Sequence, residues 1–183
     1  MLDAGAAGVM FPRLDTVEEV AQAMRYLRYP PDGDRGVATY NRACGFGLHP
    51  EVLSSANDSV IGVVQIESVS ALIHVEQIVE LPGVDVIFVG PADLSYALGV
   101  PGQLSSPEFV AALDRVVAAA NGAGKVAGIL GGTRELAERF YAQGAKFVAV
   151  GSDSTLLATA ARAAAASLAP SSADADAGQL VSR

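Results

Sequence analysis

The chain has 183 residues, 51% of them apolar, and a formal net charge of −8. That size suits one domain with a buried core, and the acidic balance removes the counterion-release gain on which nucleic-acid binding depends. The single cysteine, Cys44, excludes an internal disulfide and fits a reducing cytosol, and no apolar run reaches the ~18–20 residues of a membrane span.

Short β-branched runs alternate with longer helical stretches. GVMF at 8–11 reads as a buried strand. Residues 16–28 read as a helix, with Thr16 as N-cap, Glu18 and Glu19 in the first turn, and Pro30 and Pro31 as its stop. Residues 32–48 read as a long loop, which in a compact domain is functional or mobile. A short helix is expected at 50–57, a buried strand at 60–67 and a helix at 69–80. A strand at 84–90 leads to a helix at 107–122, with Ser106 as cap and Pro107 first. KVAGIL at 125–130 is a strand, and 133–143 a helix capped by Thr133 and ended by Gly144. A strand at 146–151 precedes an Ala-rich helix at 153–168, capped by Asp153. Residues 169–183, including Asp174 and Asp176, read as a disordered tail.

Alternation of this kind predicts a parallel α/β sheet covered by helices. A closed barrel of βα units has eight strands and roughly 250 residues. The five strands counted here suit part of a barrel or an open doubly wound sheet, and periodicity does not choose.

In either fold the loops after the strands carry the site. Those loops begin with Pro12-Arg13, Glu67, Gly90-Pro91-Ala92-Asp93, Gly131-Gly132 and Gly151-Ser152-Asp153. Glu67 and Asp93 end consecutive strands, and pairing of those strands would bring them ~4.8 Å apart. A cation neutralises such a pair most simply, and two carboxylates plus water and substrate oxygens suit Mg²⁺ or Mn²⁺. The competing reading makes Glu67 a solvated helix cap and Asp93 an N-cap or turn residue. Spacing alone leaves both open. Schiff-base chemistry is disfavoured, because the only lysines, Lys125 and Lys146, stand at strand beginnings, away from the catalytic face.

LDAGAAGVMFP at 2–12, RYPPDGDRGVA at 28–38, VVQIES at 63–68, GVDVIFVGPADLS at 83–95 and GAKFVAVGSDSTLLA at 144–158 together resemble the HpcH/HpaI aldolase family. These are class II pyruvate aldolases, including 4-hydroxy-2-oxoheptanedioate aldolase. The resemblance implies a (β/α)₈ TIM-type barrel with about five βα units present, so that residues 1–168 form its C-terminal portion. It implies that Glu67 and Asp93 hold a divalent metal (Mg²⁺, Mn²⁺ or Co²⁺), that Gln65 contacts the 2-oxo acid, and that the Ala92 amide meets its carboxylate. It implies carbon–carbon lyase chemistry through a metal-stabilised pyruvate enolate, with a 2-oxo acid and an aldehyde as small-molecule partners. A homo-oligomer is implied for the complete protein, with the final helix in its contacts.

The family's catalytic His–Asp pair and a substrate-binding Arg belong to units before the segment matching Leu2–Pro12. No base is identified here: His49 reads as a surface residue, and His74 lies two turns into a helix leading away from the rim. The expectation is that the base lies upstream of Met1, which is then an internal methionine of a longer protein. A non-catalytic homologue that keeps the metal and pyruvate site is an alternative. A citrate lyase β-like CoA-thioester lyase is another, disfavoured by the scarcity of lysines. Arg35 reads as a loop-anchoring ion-pair residue ahead of a substrate contact, and Arg42 and Cys44 belong to the same loop. The N-terminus lacks the basic opening and cleavage pattern of a secretory signal, so a cytoplasmic location is expected.

Overall fold

Each strand of the protein is short, and each is followed by a helix. The structure is a computed structural model that describes residues 1–168; the expected tail at 169–183 lies outside them. Two units are described separately, Met1–Ala149 and a second that begins at Val150.

In the first unit, β1 (Gly8–Phe11), β2 (Ile61–Ile66), β3 (Val86–Val89), β4 (Val126–Leu130) and β5 (Phe147–Ala149) form one parallel sheet in the order β1-β2-β3-β4-β5. Between them run α1 (Val17–Arg25), α2 (Leu53–Ser59), α3 (Val69–Ile73), α4 (Val75–Ile78), α5 (Pro91–Ala97), α6 (Pro107–Gly122) and α7 (Arg134–Ala142). The strand order settles what periodicity left open. A doubly wound sheet reverses its order at a switch point; here every crossover steps to the next position in one direction, as in a (β/α) barrel.

The two faces of the sheet differ, because strand side chains alternate. Val64, Ile66, Ile87, Val89, Ala127 and Ile129 join the helices in one apolar core, with Val20, Met24, Ile78, Phe109, Val116 and Phe140 buried against them. On the opposite face, Phe88 is buried beside Gly128 and meets Phe147 edge-on at 5.8 Å between ring centres. Met10, Ile61, Leu130 and Phe147 are exposed there. In a closed barrel this second face is the interior.

Several boundaries differ from the sequence reading. The helix expected at 69–80 is broken at His74, whose backbone is non-helical and whose Nδ1 lies 2.9 Å from the Ser70 carbonyl. The His74 amide donates to the Ser70 carbonyl at 3.3 Å and also to the Ala71 carbonyl at 3.2 Å, a 3-10-type tightening that ends α3 there. The long loop contains a distorted 3-10 segment, Arg42–Gly47, with left-handed Gly45 and Phe46. The helix expected at 50–57 is a 3-10 turn, Pro50–Val52, followed by α2. A helix unforeseen in the sequence, α5, begins directly after β3. In the second unit, α8 (Asp153–Ser167) is capped by Ser152 rather than by Asp153. A hydroxyl one residue earlier reaches the Thr155 amide, while Asp153 falls in the first turn, where its charge favours the helix dipole. The caps Thr16, Ser106 and Thr133 stand as expected.

Two outcomes follow for stability. Phe109 has no exposed surface, so Phe109→Ala is expected to lower unfolding free energy by about 3–5 kcal/mol in a urea titration. Arg115 of α6 donates from Nε and Nη2 to Glu76 of α4 at 2.7 Å each, and holds that carboxyl below its ordinary 4.5. The stability this adds is complete above pH 4.5 and is lost as pH falls through the lowered folded-state value. Both side chains are about half exposed, so Arg115→Met should cost under ~1 kcal/mol near neutrality. That difference should shrink on acidification through the same range in urea titrations.

Candidate metal and substrate site

The alternation of β2 carries past its last residue and puts Val63, Gln65 and Glu67 on the face away from the helices. Glu67 is only 5% exposed. Its Oε1 accepts the Arg13 backbone N–H at 2.8 Å, from the loop after β1. Its other side lies against β3: Ile66 pairs with Val89, and the Gly90 amide donates to the Ile66 carbonyl at 3.2 Å. A Cβ on residue 90 would stand 2.7 Å from Glu67 Oε2 and 3.1 Å from its Cβ. Glycine at 90 is therefore what lets the carboxylate lie there.

No lysine, arginine or histidine among the described residues forms a salt bridge with Glu67. Its Oε2 accepts no hydrogen bond from them either. Burying an anion without a counter-charge is costly, so a cation suits this position. Among the described residues no group of three or more His, Cys, Asp or Glu side chains assembles. The described residues then offer at most two carboxylates to one ion, and a hard divalent ion held by so few protein ligands would complete its shell with other oxygens.

The β3–α5 junction differs from its counterparts. The helices that follow the other four strands have hydroxyl N-caps: Thr16, Ser68, Thr133 and Ser152. At α5 the N-cap is Gly90, which has no side chain, and Pro91 has no N–H. The Ala92 and Asp93 amides donate to no group among the described residues. Ser95, fully buried, donates to the Ala92 carbonyl at 2.7 Å and accepts the Gly102 amide at 2.9 Å. This bracing fixes the peptide that presents the free amides.

The expected residues fall into place unevenly. Glu67 does not cap a helix; Ser68 does, and Glu67 points into the sheet's second face. Asp93 does not end β3, which stops at Val89, and it is not an N-cap; it is exposed in the first turn of α5. Gln65 is half-buried on the Glu67 face, paired in register with Phe88. Lys125 and Lys146 precede β4 and β5, at the opposite end of the strands. His49 is exposed and contacts Glu51, and His74 contacts Ser70, so neither faces Glu67. Arg35 anchors the loop as expected, bonding Asp3 at 2.6 Å and stacking on Tyr29. Sequence reasoning missed the Arg13 amide, Gly90 and Ser95. The last two sit inside the GPADLS run, where a glycine three residues before an acid and a serine two residues after it were the available signals.

The model of the HpcH/HpaI aldolase/citrate lyase family matches residues 1–160. The 4-hydroxy-2-oxo-heptane-1,7-dioate aldolase of Shigella sonnei strain Ss046 is 42% identical over 167 residues, covering 91% of this chain and 64% of that protein. The chain thus spans less than two thirds of that curated relative's length. An HpcH/HpaI aldolase/citrate lyase family protein from Burkholderia cenocepacia J2315 superposes with a TM-score of 0.83 at 40% identity, over 91% of this chain and 66% of that one. An HpcH/HpaI aldolase from Desulfitobacterium hafniense DCB-2 gives 0.80 at 28% identity, over 93% and 67%. The family match over residues 1–160 and the uninterrupted strand order agree: the chain belongs to the HpcH/HpaI aldolase/citrate lyase family.

Proposed function

We propose that this chain carries the metal and 2-oxo acid site of a divalent-metal-dependent carbon–carbon lyase. The observation that supports this most directly is Glu67: a buried carboxylate with one amide donor, no cationic partner, and a free oxygen turned toward the strand that leads to Asp93. Glu67 and Asp93 would hold Mg²⁺, Mn²⁺ or Co²⁺. When bound, such an ion supplies Lewis-acid stabilisation of the charge that develops on the keto oxygen as the C3–C4 bond of the substrate breaks.

The protein's own groups divide the remaining work. The open start of α5 offers the Ala92 amide to the substrate carboxylate, where the helix dipole favours an anion. Gln65, on the same face as Glu67, donates its side-chain amide to the 2-oxo acid. Gly90 keeps the backbone low enough for Glu67 and substrate to share the space above β3. Both histidines are engaged elsewhere, His49 with Glu51 and His74 with Ser70, so neither is assigned the proton of the aldol hydroxyl. That engagement favours a second reading: the chain binds metal and 2-oxo acid, and retro-aldol cleavage requires further residues of a longer protein. The aldehyde partner, a homo-oligomeric assembly and a cytoplasmic location belong to the same proposal. No helix among the described residues is long and apolar enough to cross a membrane.

Oxaloacetate decarboxylation tests the site without an aldehyde, because it needs enolate stabilisation alone. Turnover is expected with Mn²⁺, abolished by EDTA, and reduced about 100-fold or more in Glu67→Gln, which keeps an acceptor for Arg13. Folded protein with no turnover that still binds Mn²⁺ would support the binding-only reading. Folded protein that binds no Mn²⁺ would end the metal reading. Gly90→Ala is expected to weaken Mn²⁺ binding roughly tenfold or more in a calorimetric titration, since the new methyl occupies the place of Oε2.

A further inference from the structure

Arg13 is one of two residues other than glycine with positive φ among the described residues, at φ 57. That left-handed conformation is unfavourable for an L side chain of this kind and persists where its surroundings impose it. Here the surroundings are identifiable. The loop from β1 to α1 is fastened to the β2–α3 junction immediately beyond Arg13. Ser68 donates to Asp15 Oδ1 at 2.5 Å, and Ser70 donates to the Asp15 carbonyl at 2.9 Å. The Glu19 carboxylate accepts the Asp15 and Thr16 amides at 2.9 and 3.1 Å, closing the α1 capping box. Between this clamp and the end of β1, the left-handed turn directs the Arg13 N–H at Glu67 Oε1, 2.8 Å away.

We infer that Arg13 is a positioning residue, acting through its backbone amide rather than its guanidinium. The amide holds Oε1 on the β1 side, and Gly90 gives Oε2 room on the β3 side. Glu67 therefore presents one oxygen, Oε2, toward the junction that carries Asp93, and would offer that oxygen to a cation. This inference rests on the metal reading above. The Arg13 side chain itself is exposed and makes no hydrogen bond among the described residues, so its chemistry is dispensable to the role.

The full chain and three variants, Arg13→Gly, Arg13→Asn and Arg13→Val, distinguish backbone from charge. All three lose the guanidinium; glycine and asparagine tolerate the left-handed region, and β-branched valine does not. The measurements are Mn²⁺ affinity by calorimetry and hydrogen exchange of the residue 13 amide in metal-free protein. Glycine and asparagine variants are expected to bind Mn²⁺ alike, and the valine variant about tenfold more weakly. The amide should be protected in the parent chain and lose that protection in Glu67→Ala. Equal affinity of the valine and asparagine variants would overturn the positioning role and leave the metal reading intact. An Arg13 amide equally protected in Glu67→Ala would do the same. A parent chain that binds no Mn²⁺ would overturn the metal reading, and this inference with it.

Discussion

A carboxylate almost wholly removed from water, with a single amide donor and no salt bridge among the described residues, constrains everything around it. Glu67 can be tolerated there because the chain meets it from two sides: a backbone N–H from the loop after β1, and a glycine that leaves it space at the end of β3. Neither partner carries a charge. The electrostatic cost of the buried anion is not offset by an ion pair among the described residues, and the proposed cation would supply that offset.

The scaffold makes this possible by treating its two sheet faces differently. One face is closed by helices into a continuous apolar core, and this side holds the rigid part of the fold. The other face carries Gln65 and Glu67 at its carboxyl end, with the Phe88–Phe147 contact level with Gln65 in the strand register. Parallel strands all point their carboxyl ends to one rim, so loops from successive βα units converge there. The hydroxyl caps at four of the five strand-to-helix junctions satisfy their helices internally. The uncapped junction after β3 lies beside Glu67 in the strand register, which places free amides and a buried acid in one neighbourhood.

Much of this was legible locally. Short β-branched runs, hydroxyl caps and Pro/Gly stops marked the strands and most helices, because those signals act over a few residues. Glu67 and Asp93 were marked by their places after strands, and Gln65 and Ala92 by the resemblance of the QIE and GPADLS runs to the HpcH/HpaI family. Legibility failed where no local signal marked the outcome. No glycine or proline marks the break at His74. The helix α5 was hidden because its start carries no capping side chain, only Gly90 and Pro91. Asp93 was read as a strand end for that reason.

The sequence by itself determined the alternation of strands and helices, the acidic and lysine-poor surface, and which acids stand after strands, since each of these is a property of residue type and short spacing. Only the tertiary structure decided that the sheet runs in unbroken order, that Glu67 is buried rather than a solvated cap, and that Arg13 meets it with its backbone. Arg13 and Glu67 are 54 residues apart in the chain. Their contact arises from β1 pairing with β2 in one register, and no local propensity encodes which amide a distant strand end will face.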